Sequence, residues 1–99
     1  MNSEYQIREM LNIDNNSIEI FLIIGENMYY TNGYPEIEKA YLNINNAKQY
    51  QKLNDQIYSM NDINLYIRKI EISIKINGDL YILSNKLNYN LKYILSILE

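Results

Sequence analysis

The chain reads as an α+β domain: an antiparallel sheet from two β-hairpins packed by helices, in the order α-β-β-α-(α)-β-β-α. Three observations predict it. Ile18, Ile20, Leu22 and Ile24 alternate at period 2, as do Ile70, Ile72, Ile74 and Ile76, the spacing that puts every second side chain on one face of a strand. Asn77-Gly78 follows the second of these runs and precedes another apolar one, the strongest short-range hairpin signal because both residues tolerate positive φ. The other apolar residues recur at helical spacing before, between and after these runs. At 99 residues and 47% hydrophobic content, the chain suits a single domain over 1–99 with a packed core.

The elements follow in order. Ser3 and Gln6 have capping-box spacing, and Ile7, Met10 and Leu11 share a face, predicting a helix over about residues 4–12. Asp14-Asn15-Asn16-Ser17 is a loop, since these side chains compete for backbone hydrogen bonds. Strand 18–24 carries Glu19, Phe21 and Ile23 on its second face; two of the three are apolar, which predicts a central strand covered on both sides. That second face would be covered by a helix of the same chain or by a second copy, so a homodimer burying Phe21 and Ile23 is a side expectation. Gly25-Glu26-Asn27 reads as the turn, with Met28–Thr31 returning. Tyr29 and Tyr30 would then point to opposite faces, one of them into the core.

Pro35 suits the first turn of a helix, with Glu36 and Glu38 beside its positive end. Helical spacing from Ile37 to Met60 gives one long helix or two, and poor helix propensity at Asn43-Ile44-Asn45-Asn46 favours a break there. Asn61-Asp62-Ile63-Asn64 is the next linker. A two-residue turn at Asn77-Gly78 pairs Ile76 with Asp79, Ile74 with Tyr81 and Ile72 with Leu83, and sends the Ile face into a core. Leu87, Leu91, Ile94, Leu95 and Leu98 complete an amphipathic helix over about 86–98.

A 52-residue offset sets Ile18-Glu19-Ile20 on Ile70-Glu71-Ile72 and makes both halves read helix–strand–strand–helix, the pattern an internal duplication would leave. The identities along this offset are close to what so biased a composition gives by chance. Eighteen Ile, 16 Asn and 11 Tyr stand against two Ala and no Val. Ile, Asn and Tyr have AT-rich codons and Ala has GC-rich ones, which points to AT-rich coding DNA of the sort found in phages, mobile elements and low-GC bacteria.

Missing residue types exclude more than the present ones assert. The chain has no Cys and no His, so it can build no disulfide, no thiol nucleophile, no Ser-His-Asp triad and no Cys or His metal site. With glycine only at Gly25, Gly33 and Gly78, no phosphate loop can form. No cofactor or metal is expected. The net charge of −3 disfavours nucleic acid, which is met by a basic face. The polar opening and the short apolar runs predict neither a signal sequence nor a membrane segment, so the expectation is an intracellular, cytoplasmic protein.

One cluster suits contact with a protein. Tyr29, Tyr30 and Tyr34 lie close together around Asn32-Gly33, flanked by Glu26 and Glu36. Tyrosine offers a large contact area with few rotors to freeze and a polar tip. Glu26, Tyr29, Tyr30, Asn32, Tyr34 and Glu36 are therefore the expected partner-binding residues, and the partner should present a basic surface. Glu19 and Glu71 occupy equivalent outward positions under the 52-residue offset and make a second acidic feature. Arg8 and Arg68, the two arginines, offer the bidentate fork that phosphate favours; a small-ligand or nucleotide site would need them gathered with Lys69.

The expected function is a small non-catalytic inhibitor that binds a protein. Such a product of a phage or mobile element would block a host defence nuclease, in the general character of anti-CRISPR proteins. A toxin-neutralising immunity protein or a small-ligand module is the alternative. No set of carboxylates, Lys and Tyr in the sequence argues for an enzyme.

Overall fold

The computed structural model describes residues 3–14, 17–29 and 35–99. Helix α1 (Ser3–Asp14) leads into strand β1 (Ile18–Asn27), followed by β2 (Glu36–Tyr41), α2 (Ile44–Met60), β3 (Ile63–Ile74), β4 (Leu80–Ile82) and α3 (Leu91–Ile97). The strands form one antiparallel sheet in the order β2-β1-β3-β4. The fold is the expected α+β arrangement.

Both faces of β1 are covered, as the apolar second face of 18–24 requires. On one face Ile18, Ile20, Leu22 and Ile24 join Ile70, Ile72 and Ile82 with Ile7 and Leu11 of α1 and Ile94 of α3. On the other, Ile23 packs with Ala47 of α2 and Leu65 of β3, with Phe21, Tyr41, Tyr50 and Tyr58 around them. Each fully buried Ile or Leu contributes about 1.5–3 kcal/mol of transfer free energy. The Phe21–Ile23 face is thus closed by α2 of the same chain, and needs no second copy to cover it.

Several local expectations are corrected. Gly25-Glu26-Asn27 is not a turn, because β1 continues through it and pairs with Ile63, Asn64 and Leu65. Gly25 is there for close approach: a Cβ would lie 2.8 Å from Glu38 Oε1 and 3.2 Å from Ile63 Cγ2, the strand-glycine role that a turn signal mimics. Met28 and Tyr29 form a bend instead of opening a returning strand, and Tyr29 is exposed; Tyr30, expected on the opposite face, lies outside the described residues. The returning strand is β2, where Pro35, Glu36 and Glu38 were expected to open a helix. Six residues with apolar Ile37, Ala40 and Tyr41 fit either period, and the open edge of β1 decides in favour of a strand. The chain does break at Asn43, which caps α2 by accepting from the Asn45 N–H at 2.7 Å; the break separates strand from helix, not helix from helix.

A further correction concerns the hairpin, whose loop has three residues, not two. Lys75 N–H donates to Asp79 O and Gly78 N–H to Lys75 O, with Gly78 at φ +93°. This is the turn-plus-bulge form of hairpin, helped by Asn77 Oδ1 accepting from Asp79 N–H at 3.0 Å. Ile72 therefore pairs with Ile82 and Ile74 with Leu80, one residue off the expected register, and the buried set of β4 changes accordingly. Ile70 and Ile72 are in the core, whereas Ile74 and Ile76 are exposed. Last, α3 begins at Leu91, not near residue 86, because Asn90 caps it by accepting from Tyr93 N–H and Ser84 and Asn88 before it adopt positive φ. Leu87 lies outside the helix and is exposed.

Candidate functional site

The Gly25 end of the sheet is assembled from the last residues of β1, the first of β2, the C-terminal half of α2 and the start of β3. Glu36 lies opposite Gly25, Glu26 lies opposite Asn64, and Met28 N–H donates to Asp62 O at 2.8 Å. That bond sets the Met28-Tyr29 bend beside the end of α2. Residues 9–38 and 53–67 contain no Lys or Arg, and they supply Glu26, Glu36, Glu38, Asp55 and Asp62 to this end. Since the whole chain carries −3, charge is strongly segregated. Glu26, Glu36, Asp55 and Asp62 form no ion pair among the described residues. One lysine approaches from elsewhere: Lys86 lines a groove with Glu36, Ile37 and Tyr93.

A β-bulge orients one of these carboxylates. Ile23 pairs with Lys39 but Ile24 with Ile37, which leaves Glu38 as the extra residue, re-aimed as bulges do. It lies over Gly25 on the α2 face, where Tyr58 Oη donates to Glu38 Oε2 at 3.4 Å and shares a 3.1 Å hydrogen bond with Tyr50 Oη. The Tyr50 hydrogen bond first, then burial and the Glu38 charge, hold the Tyr58 phenol well above its ordinary pKa. This chain of hydroxyls fixes α2 against β2. It is structural, since each hydroxyl is satisfied within the chain of hydrogen bonds that ends on Glu38.

Exposed apolar groups border the acidic end. Tyr29 is 73% exposed, and Met28, Ile57 and Met60 are exposed as well. Leu53, Ile57 and Met60 follow one another at i, i+4, i+7 along the outer side of α2. The chain matches no protein-family model, no curated protein and no solved structure.

Of the expected contact residues, Glu26, Tyr29 and Glu36 are brought to one end of the sheet, while Tyr30, Asn32 and Tyr34 lie outside the described residues. Asp55, Asp62, Met28 and Met60 were missed. Their signal was present as two stretches without a cation, but only folding makes residues 25–29 and 35–38 neighbours of 53–67. Glu19 and Glu71 do meet, directly opposite each other on β1 and β3. Lys69 lies 2.9 Å from Glu19 and 3.9 Å from Glu71, so one cation offsets half the charge of this second acidic feature. Arg8 and Arg68 do not gather. Arg8 lines a groove with Lys75 and Lys92 and donates to Gly78 O and Glu4, whereas Arg68 sits in another groove beside Lys69 and Lys86. Among the described residues no group of carboxylates has the arrangement of a metal site, and no helix is long and apolar enough to cross a membrane.

Proposed function

We propose that this protein is a small non-catalytic inhibitor that docks its acidic end onto a basic surface of a protein partner. The observation that carries the reading is the charge segregation: five carboxylates and no cation from the segments that build one end, with Tyr29 and Met28 exposed among them. Carboxylates speed and orient the encounter with a basic surface, and the exposed aromatic and thioether groups supply contact area once water is expelled. A nucleic-acid-handling enzyme presents such a basic surface, and AT-rich coding suits a phage or mobile element that would gain from blocking one. A toxin with a basic active-site rim would be met by the same chemistry.

The test is affinity capture with the tagged full chain from its native host, a salt titration, and repetition with Tyr29→Ala and with Glu26→Lys plus Glu36→Lys. A stoichiometric basic protein that elutes as salt rises, and is lost with the variants while their melting temperatures stay unchanged, supports the reading. Its identity separates a host nuclease from a toxin. Undiminished capture by both variants, or no basic partner at all, overturns it.

A further inference from the structure

Strand β4 covers only part of its neighbour. It pairs with β3 at Ile72, Ser73 and Ile74, although β3 begins at Ile63. The register of β3 on β1 is constant from Ile63 to Ile72, so its backbone groups alternate strictly between the two edges. Two carbonyls mark the outer edge: Glu71 O accepts from Leu83 N–H at 2.8 Å, and Leu65 O accepts from Gln51 Nε2 at 3.0 Å. Ile67 and Lys69 lie between them with the same parity. Their N–H and C=O groups face the outer edge and meet no partner there among the described residues.

The charges beside this edge are of the opposite sign to the chain as a whole. A groove of about 520 Å³ between β3 and residues 82–89 is lined by Arg68, Lys69 and Lys86, with Glu71 as its one carboxylate. Lys69 is engaged by Glu19. Arg68 stacks over the Tyr66 ring at 5.7 Å, and neither Arg68 nor Lys86 has a carboxylate partner among the described residues.

We propose that the free edge of β3 at Ile67 and Lys69 takes up an extended acidic segment of a partner protein as an added strand. Only an extended chain offers alternating N–H and C=O groups at the spacing these four require, which is how sheet edges recognise peptides. The flanking cations then select acidic side chains. A second copy meeting edge to edge would bring two sets of Arg68 and Lys69 together, a repulsion by which edge lysines prevent self-pairing. This surface shares Lys86 with the border of the acidic end, but the proposal does not depend on that end's function.

The probe is a capped heptapeptide alternating Val and Glu, titrated into the ¹⁵N-labelled full chain at low salt. At saturation the Ile67 and Lys69 amides should exchange at least about tenfold more slowly, the protection a new strand hydrogen bond gives. Tyr66 and Arg68, already bonded to β1, should be unchanged. The same peptide with Lys for Glu, and the Arg68→Glu plus Lys86→Glu variant, should each bind about tenfold more weakly or worse. Unaltered exchange at Ile67 and Lys69 under saturation, equal binding of the Lys peptide, undiminished binding by the folded variant, or no binding near 1 mM peptide (weaker than about −4 kcal/mol) would each overturn the proposal.

Discussion

Glu19 and Glu71 face each other directly across β1 and β3, with the Lys69 ammonium 2.9 Å from the first and 3.9 Å from the second. Like charges opposite one another on a sheet destabilise it, and one cation shared between them reverses the sign. The hydrogen bond and charge of Glu19, and then the charge of Glu71, raise the Lys69 pKa.

Lys69→Met should therefore lower the melting temperature slightly at neutral pH, and the difference should shrink in 1 M salt because the triad is exposed. The sign with pH is fixed as well. A lysine whose folded pKa is raised contributes stability in full below its unfolded pKa and loses it as pH climbs through the folded value. The gap between wild type and Lys69→Met should close as pH rises above about 10.4. Melting curves at neutral and high pH, with and without salt, check both.

Ile23 is fully buried between α2 and the sheet, so Ile23→Ala should cost about 2–5 kcal/mol in urea denaturation. Phe21→Asp puts a carboxylate against the same helix and should unfold the chain independently of protein concentration. Sedimentation that instead found a folded Phe21→Asp monomer arising from a wild-type dimer would contradict α2 as the cover of this face.

Tyr50→Phe removes the largest cause of the Tyr58 shift. Ultraviolet titration should show the Tyr58 phenol ionising closer to the ordinary tyrosine range in the variant. In the wild type, a raised folded pKa means that this group's contribution to stability is intact below pH 10 and is lost as pH rises beyond it. Alkaline unfolding of wild type should thus begin above pH 10, with a shallower Tyr58-dependent slope in Tyr50→Phe.

Gly78 holds φ +93° with open space where a Cβ would stand. Gly78→Ala should cost about 1 kcal/mol, from backbone strain alone. Gly78→Asn should cost less, because Asn visits the left-handed region more readily. Equal costs for the two would assign the effect to a steric clash of the added side chain, contrary to the open space observed.

Element types were legible where the apolar period was long and unopposed. The alternation at Ile18–Ile24, the two apolar residues on its second face, and the helical spacing through Ala47, Tyr50 and Tyr58 were enough for a doubly covered central strand. Misreadings fell where one local signal has two physical causes. Gly25 allows a turn or a close approach, and only Glu38 and Ile63 overhead distinguish them. Residues 36–41 satisfy either period, and the open β1 edge decided. At Asn77-Gly78 the hairpin was evident, but its loop length rests on the backbone bonds of Lys75, Gly78 and Asp79.

The candidate site divides in the same way. Residue types alone determined that no thiol, imidazole or phosphate-loop chemistry is available, and that tyrosine and carboxylate cluster near residues 26–36. Tertiary structure alone decided that Asp55 and Asp62 join Glu26 and Glu36 at one end, that Lys69 bridges Glu19 and Glu71, and that Arg8 and Arg68 part company. Local sequence sets hydropathy and period, which are properties of neighbours along the chain. Charge fields and free strand edges arise between segments distant in sequence, and they exist only once packing has chosen which segments meet.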